Sequence, residues 1–131
     1  EDLGLLAALE WYGKEIKKRT GARINFKCNV HELHIPVAAS TELFRIYQEL
    51  VSNAVYHLKA KRVSADLFLE EDKLVLKISH NGAYHAAPVD DEKKAMLLLG
   101  VQQRIFLLDG EYQLKTKTGQ GSEILITIPY N

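Results

Sequence analysis

The residue pattern predicts an α+β fold, a two-layer sandwich in which one mixed β-sheet carries helices on one face. Helical apolar spacing recurs in three separated segments, and strand-like alternation recurs in five. Four of those strands fall into two hairpins, so helices alternate with hairpins rather than with the single strands of a wound parallel sheet.

The first helix is predicted over Leu3 to Arg19, where Leu5, Leu6, Leu9, Tyr12 and Ile16 form one stripe and Gly21 ends the run. Residues Arg23 to Val30 alternate, with Ile24, Phe26, Cys28 and Val30 on one side, which is the period of a half-buried strand. A short extended piece is expected from Leu33 to Pro36. Ser40 or Thr41 is the expected cap of a central helix reaching about Lys59, whose stripe is Leu43, Ile46, Tyr47, Leu50, Ala54 and Leu58. Strands Val63 to Glu70 and Lys73 to Ser79 follow, joined tightly at Glu71-Asp72. Ala83 to Lys93, with Pro88, reads as a polar loop, and Lys94 to Leu108 as an apolar helix ended by Asp109-Gly110. The last hairpin pairs Glu111 to Thr118 with Ser122 to Pro129 across Gly119-Gln120-Gly121.

With 131 residues, 47% of them hydrophobic and 26% charged, the chain is expected to form a single domain spanning 1–131. Seventeen basic residues balance seventeen acidic ones, so no global positive field favours nucleic acid or an anionic membrane. Cys28 is the only cysteine, which excludes an internal disulfide and suits a reducing, cytoplasmic setting. No apolar run approaches the roughly 18 residues that cross a bilayer, so direct membrane contact is not expected.

On the central helix, Arg45, Glu49, Ser52, Asn53 and Tyr56 are spaced three or four apart and are expected to share a face. Glu49 and Asn53 offer a carboxylate that orients or deprotonates a hydroxyl and an amide oxygen suited to magnesium. A solvated helix face is the alternative. Cys28, His31 and His34 have metal-like spacing, but a strand throws them to different sides and zinc needs a fourth ligand. His80 and His85 read either as a loop pair or as a proton-transfer or metal site.

Arg45 to Ala60, RIYQELVSNAVYHLKA, resembles the N-box of histidine kinases of the nitrate-sensor type, part of the GHKL ATPases with the Bergerat fold. The opening LGLLAALEW is similar to the helix by which such domains follow their dimerisation and phosphoacceptor helices, so residues 1–20 are expected to continue that region. Gly100 to Ile105, Leu108-Asp109-Gly110 and Gly119-Gln120-Gly121-Ser122 resemble the segment after the ATP lid and the final glycine turn. The resemblance implies an ATP-binding catalytic domain of a two-component sensor kinase, an ATP-dependent phosphotransferase. It makes Glu49 the catalytic residue and Asn53 the magnesium ligand, with Asn53, His57, His80, Gly82, Gly121 and Ser122 at the nucleotide. It also implies a response regulator as partner.

The sequence departs from that family at defined positions. Where the family has Asp-x-Gly-x-Gly, with the aspartate accepting from the adenine amino group, this chain reads His80-Asn81-Gly82-Ala83-Tyr84. Losing a hydrogen bond to a charged group costs ~1.5–3 kcal/mol, roughly ten- to hundred-fold in affinity. Tyr84 denies the backbone the approach a glycine allows. The family's lid glycines are replaced by Ala95 and Leu97, which favours a continuous helix in which the Met96 to Leu99 run is core. These replacements predict weakened or lost nucleotide binding. The alternative is a non-enzymatic regulatory module that keeps the fold.

Overall fold

A computed structural model of the chain describes residues 3–30, 32–82, 91–117 and 121–130. Helix α1, Leu3–Thr20, buries Leu5, Leu9 and Ile16. Its last turn carries Lys17, Lys18 and Arg19, which the carbonyl end of a helix favours. It stops where Gly21, at φ +81°, donates its N–H to the Lys17 carbonyl at 2.8 Å.

Strand β1, Arg23–Cys28, ends two residues before the Val30 limit set by alternation. No regular element forms over 32–36, so the extended piece expected there is not a strand, although Leu33 is fully buried. Helix α2 covers Val37–Ser52 and begins earlier than a Ser40 or Thr41 cap requires. Pro36 holds the cap position at φ −59° with no side-chain cap, since its ring presets the backbone that leads into a helix. Thr41 instead donates its hydroxyl back to the Val37 carbonyl at 3.1 Å. The expected stripe Leu43, Ile46, Tyr47, Leu50, Ala54 and Leu58 is buried throughout.

The central helix does not remain α-helical to Lys59. Asn53–His57 form a π-helical stretch, in which the Leu58 N–H reaches the Asn53 carbonyl at 3.0 Å. Lys59 then turns the chain at φ +58°.

Strands β2, Arg62–Glu70, and β3, Lys73–His80, form the predicted hairpin around Glu71-Asp72. Helix α3, Asp91–Leu107, starts three residues before the Lys94 boundary. It closes at Asp109, φ +55°, with the Gly110 N–H on the Ile105 carbonyl. Strands β4, Glu111–Lys117, and β5, Gly121–Pro129, complete the sheet. The expected loop around Pro88 and the Gly119-Gln120 turn lie outside the described residues.

The five strands run in the order β1-β2-β3-β5-β4, with β1 and β2 parallel and the other neighbours antiparallel. The sheet is therefore mixed, as predicted. Val63, Ala65 and Leu67 of β2, Leu76 and Ile78 of β3, and Ile124, Ile126 and Ile128 of β5 join the helix stripes in one core. The other face is polar, with Lys77 of β3 paired to Glu123 of β5 at 3.5 Å.

The strand direction also separates charge. Lys17, Lys18, Arg19, Arg23, Lys59, Lys61 and Arg62 gather at the end where β1 and β2 begin. Glu70, Glu71, Asp72, Asp109 and Glu111 lie at the opposite end, where β2 turns into β3 and β5 finishes, with Lys73 as a single cation among them. No helix among the described residues is long and apolar enough to cross a membrane.

Candidate functional site

Between α2 with its π-helical continuation and the β3–β5 pair lies a narrow cleft lined by Asn53, His80 and Ser122 among apolar side chains. Leu50, Ala54 and Leu58 form its helical wall, Ile78 and Ile124 its sheet wall, and Leu98 and Leu114 close it. Its cavity volume is only about 50 Å³. Three of the sequence-predicted residues, Asn53, His80 and Ser122, thus converge.

Strand register explains the convergence. In the antiparallel β3–β5 pair His80 lies opposite Ser122 and Ile78 opposite Ile124. Paired residues project to one face, so all four side chains meet the helices. The Ser122 hydroxyl is buried and has no hydrogen-bond partner among the described residues. His80 is half-buried, and the Gly82 N–H donates to its Nδ1 at 3.0 Å.

Burial holds the His80 pKa below its ordinary value of 6.5, because the imidazolium loses solvation. As pH falls, the unfolded chain takes the proton before the folded chain does. The contribution of His80 to stability is therefore full above about pH 6.5 and is lost as pH drops below that value. Urea titrations between about pH 7 and 5 should show a steeper loss for the wild type than for His80→Gln. Equal slopes would exclude this linkage.

The glycines have local reasons. A Cβ on Gly82 would stand 2.9 Å from the Leu58 carbonyl oxygen and 3.0 Å from His80 Nδ1, so the π-helical exit and the imidazole both require its bare backbone. Gly121 sits at φ +93°, and a Cβ there would collide with the His80 carbonyl. Asn81 fixes the same loop from the other side: its Oδ1 accepts from the Lys61 and Arg62 N–H groups at 2.8 and 2.9 Å. Sequence reading missed that clamp. Its signal was an asparagine just after a strand, where short amides commonly bind nearby backbone.

The polar face expected on the central helix is divided. Glu49 turns toward α3, where a Cβ on Gly100 would come within 2.9 Å of its carboxylate, and Asn53 lines the cleft. Ser52 instead shares a hydrogen bond with the Tyr12 phenol on α1, and Tyr56 borders a groove with Thr20 and Lys59. Arg45 is exposed. The five residues therefore do not share one site, because α2 is wedged between α1 and α3 and shows each a different side. His57 is exposed at the end of the π-helical stretch and does not line the cleft.

Helix α3 is continuous across the positions of Ala95 and Leu97. In the Met96 to Leu99 run, expected to be core, Leu98 lines the cleft while Leu99 is exposed. Arg104 locks α3 to α2 through Glu42 at 3.0 Å. The side chains of Ala95, Met96 and Leu97 lie outside the described residues, as do Tyr84, His85 and His31. Among the described residues no group of three metal-binding side chains forms, and the Cys28 thiol meets the Val30 backbone at 3.3 Å.

No family model matches the chain. In sequence it is 31% identical, over 98% of its length, to the signal transduction histidine-protein kinase/phosphatase DegS of Bacillus subtilis. The chain spans about a third of the length of the curated relatives it matches. In fold it is similar to the nucleotide-free catalytic domain of histidine kinase ThkA, with a TM-score of 0.71, 16% identity, and coverage of 96% of this chain and 90% of that one. It is also similar to full-length ShkA in complex with AMPPNP, with a TM-score of 0.74, 17% identity, and coverage of 95% of this chain and 29% of that one.

Proposed function

We propose that this chain is a catalytic-type domain of a sensor histidine kinase, a reading its sequence relatives and its fold support, and that its cleft is a nucleotide site whose grip on ATP has been weakened. The carrying observation is the placement of Asn53, His80 and Ser122 around one cleft, with Glu49 one turn before Asn53. AMPPNP, held by the structural relative ShkA, is an ATP analogue.

The donor set suits a magnesium nucleotide. The amide oxygen of Asn53 is a hard oxygen ligand, and the magnesium it would help hold neutralises phosphate charge. Asn53 would take the metal. Glu49 would orient an attacking imidazole, the phosphoacceptor histidine of helices outside this chain. The cleft lies at the cationic end of the sheet, which favours a polyanion there.

Two features support the weakening. His80 gives its Nδ1 acceptor to Gly82, leaving no acceptor for a purine amino group. The cleft, at about 50 Å³, falls well short of the roughly 300 Å³ at which small-molecule pockets begin, so its lining must part before a purine enters. The continuous α3 over the cleft also favours the second reading, a docking or regulatory module that keeps the fold without turnover.

In either reading residues 1–131 act as one cytoplasmic domain of a larger signalling protein. Its partners are the parent's dimerisation helices and a response regulator, with no direct contact to nucleic acid or membrane.

Calorimetric titration with magnesium AMPPNP tests this reading. The wild-type chain should bind more weakly than about 1 μM, and a variant with His80→Asp and Tyr84→Gly should gain roughly ten- to hundred-fold. Micromolar binding by the wild type would remove the weakened-site reading. No binding by either folded protein would leave only the docking module.

A further inference from the structure

We propose that the His80–Ser122 corner of the cleft selects a ligand presenting a hydrogen-bond acceptor, so that it holds a 6-oxopurine nucleotide in preference to the 6-amino form. The inference rests on the nucleotide reading above and names the base that the site takes.

The polarity of this corner is set by the backbone. Gly82 sits two residues past His80, and its N–H occupies the Nδ1 lone pair at 3.0 Å. A neutral imidazole carries one proton, so that proton is on Nε2. Burial keeps the ring neutral, since the charged form loses solvation. The only polar function His80 has left to offer is therefore an N–H donor, and Nε2 has no partner among the described residues.

Ser122, opposite His80 across the β3–β5 pair, adds a buried hydroxyl with no partner among the described residues. A hydroxyl rotates and suits either polarity, so it does not discriminate. His80 does, because its tautomer cannot change without breaking the Gly82 contact. Of the other lining residues, Leu50, Leu58, Ile78, Leu98 and Ile124 are apolar, and Asn53 adds an amide that, like the hydroxyl, can meet either polarity.

An amino group set against the Nε2–H would place two donors face to face and leave the Nε2–H unmet. A carbonyl oxygen in the same position accepts from Nε2–H and, with the hydroxyl turned, from Ser122 as well. Sites that hydrogen-bond one polar group discriminate strongly against a partner that cannot reciprocate, because the buried groups are then left unpaired.

Magnesium inosine triphosphate and magnesium ATP differ around purine position 6, and paired calorimetric titrations of the wild-type chain compare them directly. The inosine nucleotide should bind at least about tenfold more tightly. His80→Asp, which presents acceptors only, should reverse the order, while Ser122→Ala should weaken the inosine nucleotide and keep it ahead.

Equal or tighter binding of ATP by the wild type would overturn the inference and leave the nucleotide reading standing. If the wild type binds neither nucleotide but His80→Asp binds ATP, the inference falls and the weakened adenine site is upheld. If neither nucleotide binds either protein, and thermal melting shows both folded, the inference and the nucleotide reading fall together. The wild-type comparison needs no substitution, so a variant that fails to fold does not spare the proposal.

Discussion

Gly121→Ala should destabilise the chain by about 2–5 kcal/mol, measured as a lower urea midpoint at unchanged slope. Two costs combine. Gly121 adopts φ +93°, a region closed to side chains, and an L-residue forced into left-handed backbone costs roughly 1–2 kcal/mol. A Cβ there would also collide with the His80 carbonyl, which is backbone and cannot swing aside. Overpacking of that kind adds ~1–3 kcal/mol. Gly21→Ala is the control: Gly21 also has positive φ, +81°, but nothing lies within 4 Å of its Cβ position. It should cost only the backbone term. Equal losses at both sites would show that the approach to His80 adds nothing.

Tyr47→Ala should cost about 3–5 kcal/mol, whereas Tyr47→Phe should leave stability unchanged or raise it. The ring is fully buried and meets Tyr12 and Phe26 edge-to-face at centroid distances of 6.2 and 6.1 Å. Truncation removes that packing and leaves a large cavity between α1, α2 and β1. Among the described residues the buried hydroxyl has no hydrogen-bond partner, a loss of ~1–3 kcal/mol that phenylalanine avoids. Burial also raises the Tyr47 pKa well above 10, so the unfolded chain ionises first as pH rises. The wild type should therefore lose stability above about pH 10 by more than Tyr47→Phe does. A destabilised phenylalanine variant would show that the hydroxyl has a partner after all.

Periodicity carried most of the architecture because burial and spacing are the same fact seen twice. The stripe on α2 and the alternation in β2 predicted which side chains are inside. Boundaries shifted where a local device outranked the pattern. Pro36 started α2 before the serine and threonine expected to cap it. The π-helical stretch had no signature in the spacing, because one extra residue per turn leaves the polar and apolar order unchanged. It lies where the site residues are.

The site was legible as residue types and not as an arrangement. Asn53, His80 and Ser122 were found through motif resemblance, and their convergence depends on a strand register that pairs residues 42 positions apart. The tautomer of His80 depends on one backbone N–H and could not be read from its identity. Neither could the separation of Ser52 and Tyr56 from Glu49, since spacing on one helix does not say where its neighbours stand.

The segregation of charge along the sheet gives this chain an electrical orientation that its zero net charge conceals. From Arg62 to Glu70 along β2 the poles are roughly 27 Å apart at ~3.4 Å per residue, several times the ~8 Å over which physiological salt screens a charge. An approaching ion or protein therefore senses one pole at a time. Encounter at the Arg23–Arg62 end should speed up for anions as salt is lowered, and encounter at the Glu70–Asp72 end should slow, with no change in fold. A molecule that drifts nowhere in a uniform electric field will still turn in it, and its two ends will meet different company.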